Sequence, residues 1–388
     1  MKKYKLPLVL FLLLLFVYFF GSIISYEVKS FFFATSVTLK KILLFVLPFI
    51  IFSFISSSLL RLEGNVIKFV VLLFLCVFIS NSIAIYLGYF TGNFFLDFLI
   101  TDTSSAKHIE ALHPMWDLPI PILISNEYAL VFGFILGIVF SIKRNSKVDN
   151  IANKLSDFST IFLKKIFIPI LPLFVLGFIM KLQQEDVLEY AITSYGKVLL
   201  VIVFTQISYI LFLYYVAAKF SFRKFLNYLK TVMPATITGF STISSAASMS
   251  VLLLSMEKIF KNKSDDYKII VPSVINIHTL GSAIGVTILL LATIKTFNMP
   301  MPSFYSFAIF AFFYAASKFA VAAVPGGVLI IVTPLLEKYL AFSPEMIGVI
   351  TVVYLLFDPF GTATNVTANG GFTIIFSRIF RVFNKNKK

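Results

Sequence analysis

The chain has 388 residues, 59% of them hydrophobic and only 13% charged, against about 25% charged in soluble domains. A chain this apolar excludes a water-soluble globular domain and leaves the bilayer as its solvent. The net charge of +15, from 33 basic and 18 acidic residues, does not argue for nucleic acid. The Lys and Arg lie in short breaks between apolar runs, as in cytoplasmic loops, and there is no basic stripe or reader motif.

The first apolar run, 6–24, follows the basic start MKKYK. It is too long for a signal-peptide core and lacks a small-residue cleavage site, so it reads as a retained first helix. Further runs of spanning length follow at 37–60, 66–89, 129–142, 161–180 and 197–218, the fourth extending back through Ile122. Basic clusters occur at Lys2, Lys3 and Lys5, at Lys143, Arg144, Lys147 and Lys154, at Lys219, Arg223, Lys224 and Lys230, and at Arg378, Arg381, Lys385, Lys387 and Lys388. The turn Gln184-Glu185-Asp186 is acidic. One topology satisfies all of these, with both termini in the cytoplasm. The lone cysteine, Cys76, lies inside an apolar run and reads as a small buried hydrophobe; no internal disulfide or thiolate cluster is possible. Residues 91–121 form the one long polar connection. Its His108, Glu110, His113 and Asp117 match no metal-ligand spacing, so an ordinary outside loop is expected, with no metal site.

From Pro234 onward the apolar stretches are interrupted at four places: SSAAS at 244–248, NIHTLGS at 276–282, VPGG at 324–327 and DPFGTATN at 358–365. Backbone that leaves the helix inside a membrane must line a cavity or be buried in protein. The order reads as hairpin-like stretch, broken helix, hairpin-like stretch, broken helix. Paired interruptions of this kind mark an internally repeated transporter and point to its solute site. Asp358 follows a run, 349–357, with no other charge. A carboxylate at membrane depth is a functional-site hypothesis, and a cationic group on the solute would offset it. Asp358, Thr362, Asn365 and Asn369 recur at helical spacing on one face.

The residues FSTISSAAS (240–248), VPGG (324–327) and TATNVT (362–367), with Leu47-Pro48-Phe49 and the serines after it, resemble the dicarboxylate/amino acid:cation symporter family, the glutamate-transporter homologues. The resemblance covers nearly the whole chain. It implies an all-α membrane protein of eight transmembrane helices plus two re-entrant hairpins with inverted repeats, forming a homotrimer of elevator type. Residues 1–230 would then be mainly scaffold and trimerisation helices, helices 3 and 6 belonging to the transport domain. Residues 231–388 would be the transport core: hairpin 1 at 231–256, helix 7 at 268–295, hairpin 2 at 303–340 and helix 8 at 343–380.

By resemblance Asp358 binds the α-amino group of an amino acid. Asn365, with Ser244 and Ser245 at the first hairpin tip, binds its α-carboxylate; Thr362 shares the site, and Pro325 and Gly326 shape the second gate. Where acidic-amino-acid members carry an Arg for the side-chain carboxylate, this chain has Gly361, so a neutral side chain is expected. The family's NMDGT is HTLGS here. Leu280 replaces an acidic sodium ligand, and Asn369 stands where NVTGD ends in Asp. His278, which can carry a proton near neutral pH, therefore favours proton over sodium coupling, with Asn276, Thr279, Ser282 and Asn369 around it. The alternative is a sodium-coupled carrier of glutamate, aspartate or a dicarboxylate. A channel lacks rings of charge or carbonyls, and an intramembrane enzyme lacks a second Asp or a nucleophile elbow. The expectation is thus a symporter in the cytoplasmic (inner) membrane, surrounded by lipid, with no cofactor and no catalytic residues.

Overall fold

The computed structural model describes residues 5–60, 67–99, 112–121, 123–124, 126–142, 146–162, 165–166, 168–184, 187–261, 266–320 and 327–385. Among these there is no strand. The helices are α1 (Lys5–Phe20), α2 (Tyr26–Leu60), α3 (Ile67–Leu99), α4 (Asn126–Ile142), α5 (Ser146–Phe162), α6 (Ile168–Gln184) and α7 (Val187–Ala217). They continue with α8 (Phe222–Thr242), α9 (Ser245–Phe260), α10 (Asp266–Val274), α11 (Leu280–Thr296), α12 (Phe304–Ser317), α13 (Gly327–Leu340) and α14 (Pro344–Lys385). In lipid every backbone polar group must be satisfied within the chain, and helices do this locally. Among the described residues three helices are long and apolar enough to cross a membrane: Lys68–Leu99, Tyr195–Ala217 and Pro344–Val382.

The burial pattern of α3 shows which solvent these helices meet. Val71, Leu75, Ile79 and Ile83 recur every fourth residue and are exposed, while Leu73, Val77, Asn81 and Ala84 are buried. Large apolar side chains thus face outward and a polar amide faces the protein, the reverse of a helix in water. α2 packs on α4, α5 and α6, whereas α3 and α7 pack on α11, and α7 also on α14.

Several boundaries differ from the hydropathy reading. α2 begins at Tyr26 rather than 37, because Glu27 and Lys29 lower the hydropathy without breaking the helix; Lys29 donates to Gln184 Oε1 at 2.7 Å. α3 continues to Leu99, so the polar connection starts later than expected. His108 and Glu110 lie outside the described residues. His113 and Asp117 lie along α2: the His113 carbonyl accepts from Ser30, Trp116 Nε1 donates to Thr38 Oγ1 at 3.0 Å, and Asp117 pairs with Lys41. α4 starts at Asn126 and residues 123–124 are not helical, so the expected extension toward Ile122, itself outside the described residues, does not form.

The run at 161–180 spans the last residues of α5 and, from Ile168, α6. α5 had been read as a basic break, yet its Ile151, Leu155, Phe158 and Ile161 make an exposed apolar stripe. Its opposite face sits on α2, where Ser159 and Ser53 are hydrogen-bonded at 2.7 Å and Ser57 donates to Asn153 at 3.4 Å.

α8 and α9 pack on each other across the two-residue turn Ile243-Ser244. Ile243 takes the left-handed conformation (φ 49°), and the Ser244 hydroxyl caps α9 by accepting from Ala247 N at 3.2 Å. Thus the turn falls where the serine run places it, with arms longer than 231–256. α10 and α11 are separated by non-helical residues 275–279. α12 and α13 also pack on each other; the tip between them, with Pro325 and Gly326, lies outside the described residues. The fourth interruption does not break its helix. α14 is continuous through Asp358-Pro359. Pro359 removes a single N–H, and the small residues after it let α14 lie close against α11.

Candidate functional site

The site is built around the 275–279 break. Asn81, fully buried on α3, clamps it from both sides: its Nδ2 donates to the Ile277 carbonyl at 2.9 Å, and its Oδ1 accepts from Thr279 N at 3.1 Å. Backbone groups released by the break are thereby satisfied. The first turn of α11 is held by Asn365 of α14, whose Oδ1 accepts from Gly281 N at 2.8 Å and Ser282 N at 3.3 Å, while its Nδ2 donates to Ser282 Oγ at 3.1 Å. Asn365, expected to bind a solute carboxylate, therefore also anchors the α11 N-terminus. Gln206 of α7 completes the junction: it donates to the Gly281 carbonyl at 2.9 Å and accepts from Thr364 at 3.2 Å.

Close approach explains the glycines. A Cβ on Gly281 would lie 2.3 Å from the Gly361 carbonyl oxygen and 2.6 Å from Thr364 Cβ. Overpacking of this kind destabilises by about 1–3 kcal/mol. Gly281→Ala should lower the thermal midpoint of the purified protein by several degrees; an unchanged midpoint would show that α11 and α14 are not in this contact. Gly361 differs, since a Cβ there would meet nothing nearer than Ser282 Oγ at 3.8 Å. A side chain at 361 would therefore start beside the α11 N-terminus without a backbone clash.

Asp358 is 6% exposed, and its Oδ1 accepts from the Tyr354 hydroxyl at 3.1 Å. Tyr354 Oη also lies 3.3 Å from Ser282 Oγ. Thr362 is buried one turn along α14. Asp358, Gly361, Asn365 and Ser282 are thus gathered at one place, the N-terminus of α11, where the helix dipole favours an anion. Ser244 and Ser245 sit at the α8–α9 turn, whose arm α8 reaches α14 through the Phe240–Phe360 ring contact at 5.2 Å.

A second cluster lies deeper. His278 is fully buried between Ser80 and Asn369: its Nε2 is 2.9 Å from Ser80 Oγ and its Nδ1 2.9 Å from Asn369 Oδ1. Phe372 covers the ring at 4.3 Å. In the neutral tautomer Nδ1–H donates to Asn369 and Nε2 accepts from Ser80. Two orphan atoms flank the cluster: Asn369 Nδ2 and Asn276 Oδ1 are buried with no hydrogen-bond partner among the described residues. Leu280, read by resemblance as replacing an acidic sodium ligand, is wholly buried in the apolar core.

Sequence reasoning missed Ser80, Asn81, Gln206, Tyr314, Lys318 and Tyr354. Each is a polar or ionisable side chain inside an apolar run, which is itself the signal of function or pairing at membrane depth. Among the described residues no group of three or more His, Cys, Asp or Glu could hold a metal ion.

The sequence model of the sodium:dicarboxylate symporter family matches residues 6–379. That match runs from the first helix to the last turns of α14, across both the break and Asp358. The chain therefore belongs to the sodium:dicarboxylate symporter family and is an integral membrane transporter.

Proposed function

We propose that this chain is a secondary active transporter that moves an amino acid with a neutral side chain, driven by protons rather than sodium. The observation that carries the reading is the pairing of Asp358 with an open Gly361 beside the α11 N-terminus. Asp358 offers a buried carboxylate to the solute ammonium. The Asn365 amide and the serines of the α8–α9 turn offer donors to its carboxylate, at the positive end of the α11 dipole. At position 361 no cation waits for a second carboxylate, which would be desolvated unpaired. The family's name favours the other reading, a sodium-driven carrier of dicarboxylates or acidic amino acids, and Gly361 is the residue that argues against it.

The proton is assigned to His278. Protonated, its Nε2 becomes a donor, and the Ser80 oxygen can accept once its hydroxyl turns away from the ring. Asp358 is linked to Lys318 by a hydrogen-bonded path through Tyr314, Ser282 and Tyr354. Eight transmembrane helices, two re-entrant hairpins, an elevator movement, a homotrimer and cytoplasmic termini in the inner membrane complete the reading.

Gly361→Arg tests the pocket. A thermal-shift screen against the twenty amino acids and succinate first finds the solute, since a ligand of the native state raises its stability. Competition uptake then compares aspartate with that solute. The variant should favour aspartate by tenfold or more relative to wild type, as expected for about 1.4 kcal/mol from a charge-assisted pair. If aspartate gains nothing, position 361 is not at the side-chain pocket.

A further inference from the structure

Lys318 is the least expected group in the molecule. It lies in the 3-10 turn Lys318–Ala320 after α12 and is 0% exposed. A lysine on an apolar helix ordinarily extends its stem and returns the ammonium to water or headgroups. This one points inward, to the break between α10 and α11. Its Nζ lies 3.0 Å from Thr279 Oγ1, 3.4 Å from the Thr279 carbonyl oxygen and 3.4 Å from Tyr314 Oη. It also sits over the Tyr314 ring, 4.4 Å from the centroid. The Tyr314 hydroxyl donates to the Ser282 carbonyl at 3.0 Å, so its oxygen is left to accept. A carbonyl oxygen, a hydroxyl oxygen, a phenol oxygen and a π face are the partners a bound cation takes in a membrane protein. Unwound backbone beside a half-helix is where transporters hold such a cation.

We propose that the Lys318 ammonium is a resident cation: it occupies the cation position at the α10–α11 break and keeps sodium out, so that this chain binds its solute without sodium. The inference rests on the transporter reading and deepens it. Sodium requires oxygen ligands, and a second unit charge within a few ångströms of the ammonium would be repelled. Most other oxygens of the site are committed in the same way; the exception is Asn276 Oδ1, buried in the break with no hydrogen-bond partner among the described residues. Asn365 Oδ1 accepts from Gly281 N and Ser282 N, and Asn369 Oδ1 lies against His278 Nδ1. The remaining amide atom of Asn369, Nδ2, is a donor. The Leu280 side chain brings no oxygen. One free amide oxygen does not make the shell of oxygens that sodium needs while the Thr279 oxygens hold the ammonium, so the described donor set does not fit the ion that the family's name carries.

The experiment measures thermal unfolding midpoints of the full-length protein in detergent, in sodium chloride against choline chloride at equal ionic strength. Wild type should give the same midpoint in both salts. Lys318→Ser removes the ammonium and leaves polar space beside the Thr279 oxygens, so it should gain a saturable, sodium-specific rise of about 2–4 °C. Lys318→Arg keeps the charge and should stay indifferent to sodium. A sodium-specific rise in wild type overturns the proposal, as does a folded Lys318→Ser that ignores sodium as wild type does. If Lys318→Ser does not fold, binding of radioactive sodium to wild type decides: no saturable binding supports a resident cation, and saturable binding refutes it. Neither readout uses transport, so a chain that carries no amino acid would sink the transporter reading while leaving the sodium result to stand or fall alone.

Discussion

Asp358→Asn should abolish solute uptake while leaving the protein inserted and folded. The carboxylate is buried and held by the Tyr354 hydroxyl at 3.1 Å. An asparagine of the same shape can still accept that bond through its amide oxygen. What it cannot do is balance a solute ammonium. Removing one partner of a buried ion pair costs about 3–5 kcal/mol, and about 1.4 kcal/mol is tenfold in an equilibrium constant. Binding should therefore weaken by at least about a hundredfold. Removing a charge from the membrane interior does not impede insertion, so membrane abundance should match wild type. Proteoliposome uptake at matched protein content checks this. Uptake at the wild-type rate would remove Asp358 from the solute site and leave it a structural carboxylate.

His278→Ala should separate binding from accumulation. If the imidazole carries the coupled proton, its loss leaves the Asp358 cluster intact, and solute should still bind and exchange for solute across the membrane. An imposed pH gradient should then no longer concentrate it, and the accumulation ratio should fall to one. Alanine also leaves Ser80 and Asn369 without their ring partner, a penalty of about 1–3 kcal/mol per buried group. His278→Gln, which keeps polar atoms near both and cannot change charge, controls for that loss of stability. Undiminished pH-driven accumulation by both variants would leave His278 as packing against Phe372.

Much of the fold was legible because the bilayer imposes simple rules. Apolar runs of spanning length overlap α1, α2, α3, α4 and α7, and the serines at 244–248 marked the α8–α9 turn because that stretch offers both a capping hydroxyl and small side chains. The break at 275–279 was visible from Asn276, His278 and Gly281. Other features depend on tertiary contact. Glu27 and Lys29 read as a boundary, yet Lys29 finds Gln184 on another helix. Asp358-Pro359 read as a break, yet α14 continues there, because a single missing N–H does not end a long helix. The clamp residues Asn81 and Gln206 were missed, since their partners are backbone atoms of a segment about two hundred and about seventy-five positions away. Lys318 was hidden because a lone lysine in an apolar run reads equally as snorkelling.

Proton-driven transport of a neutral amino acid is tested most directly by uptake of the screened solute into wild-type proteoliposomes under one imposed gradient at a time. An inward pH gradient without sodium should drive accumulation above equilibrium, and an inward sodium gradient at equal pH should drive none. Accumulation driven by sodium alone, or preferential accumulation of aspartate or a dicarboxylate, would contradict the reading and return the chain to the sodium-coupled chemistry of its family's name.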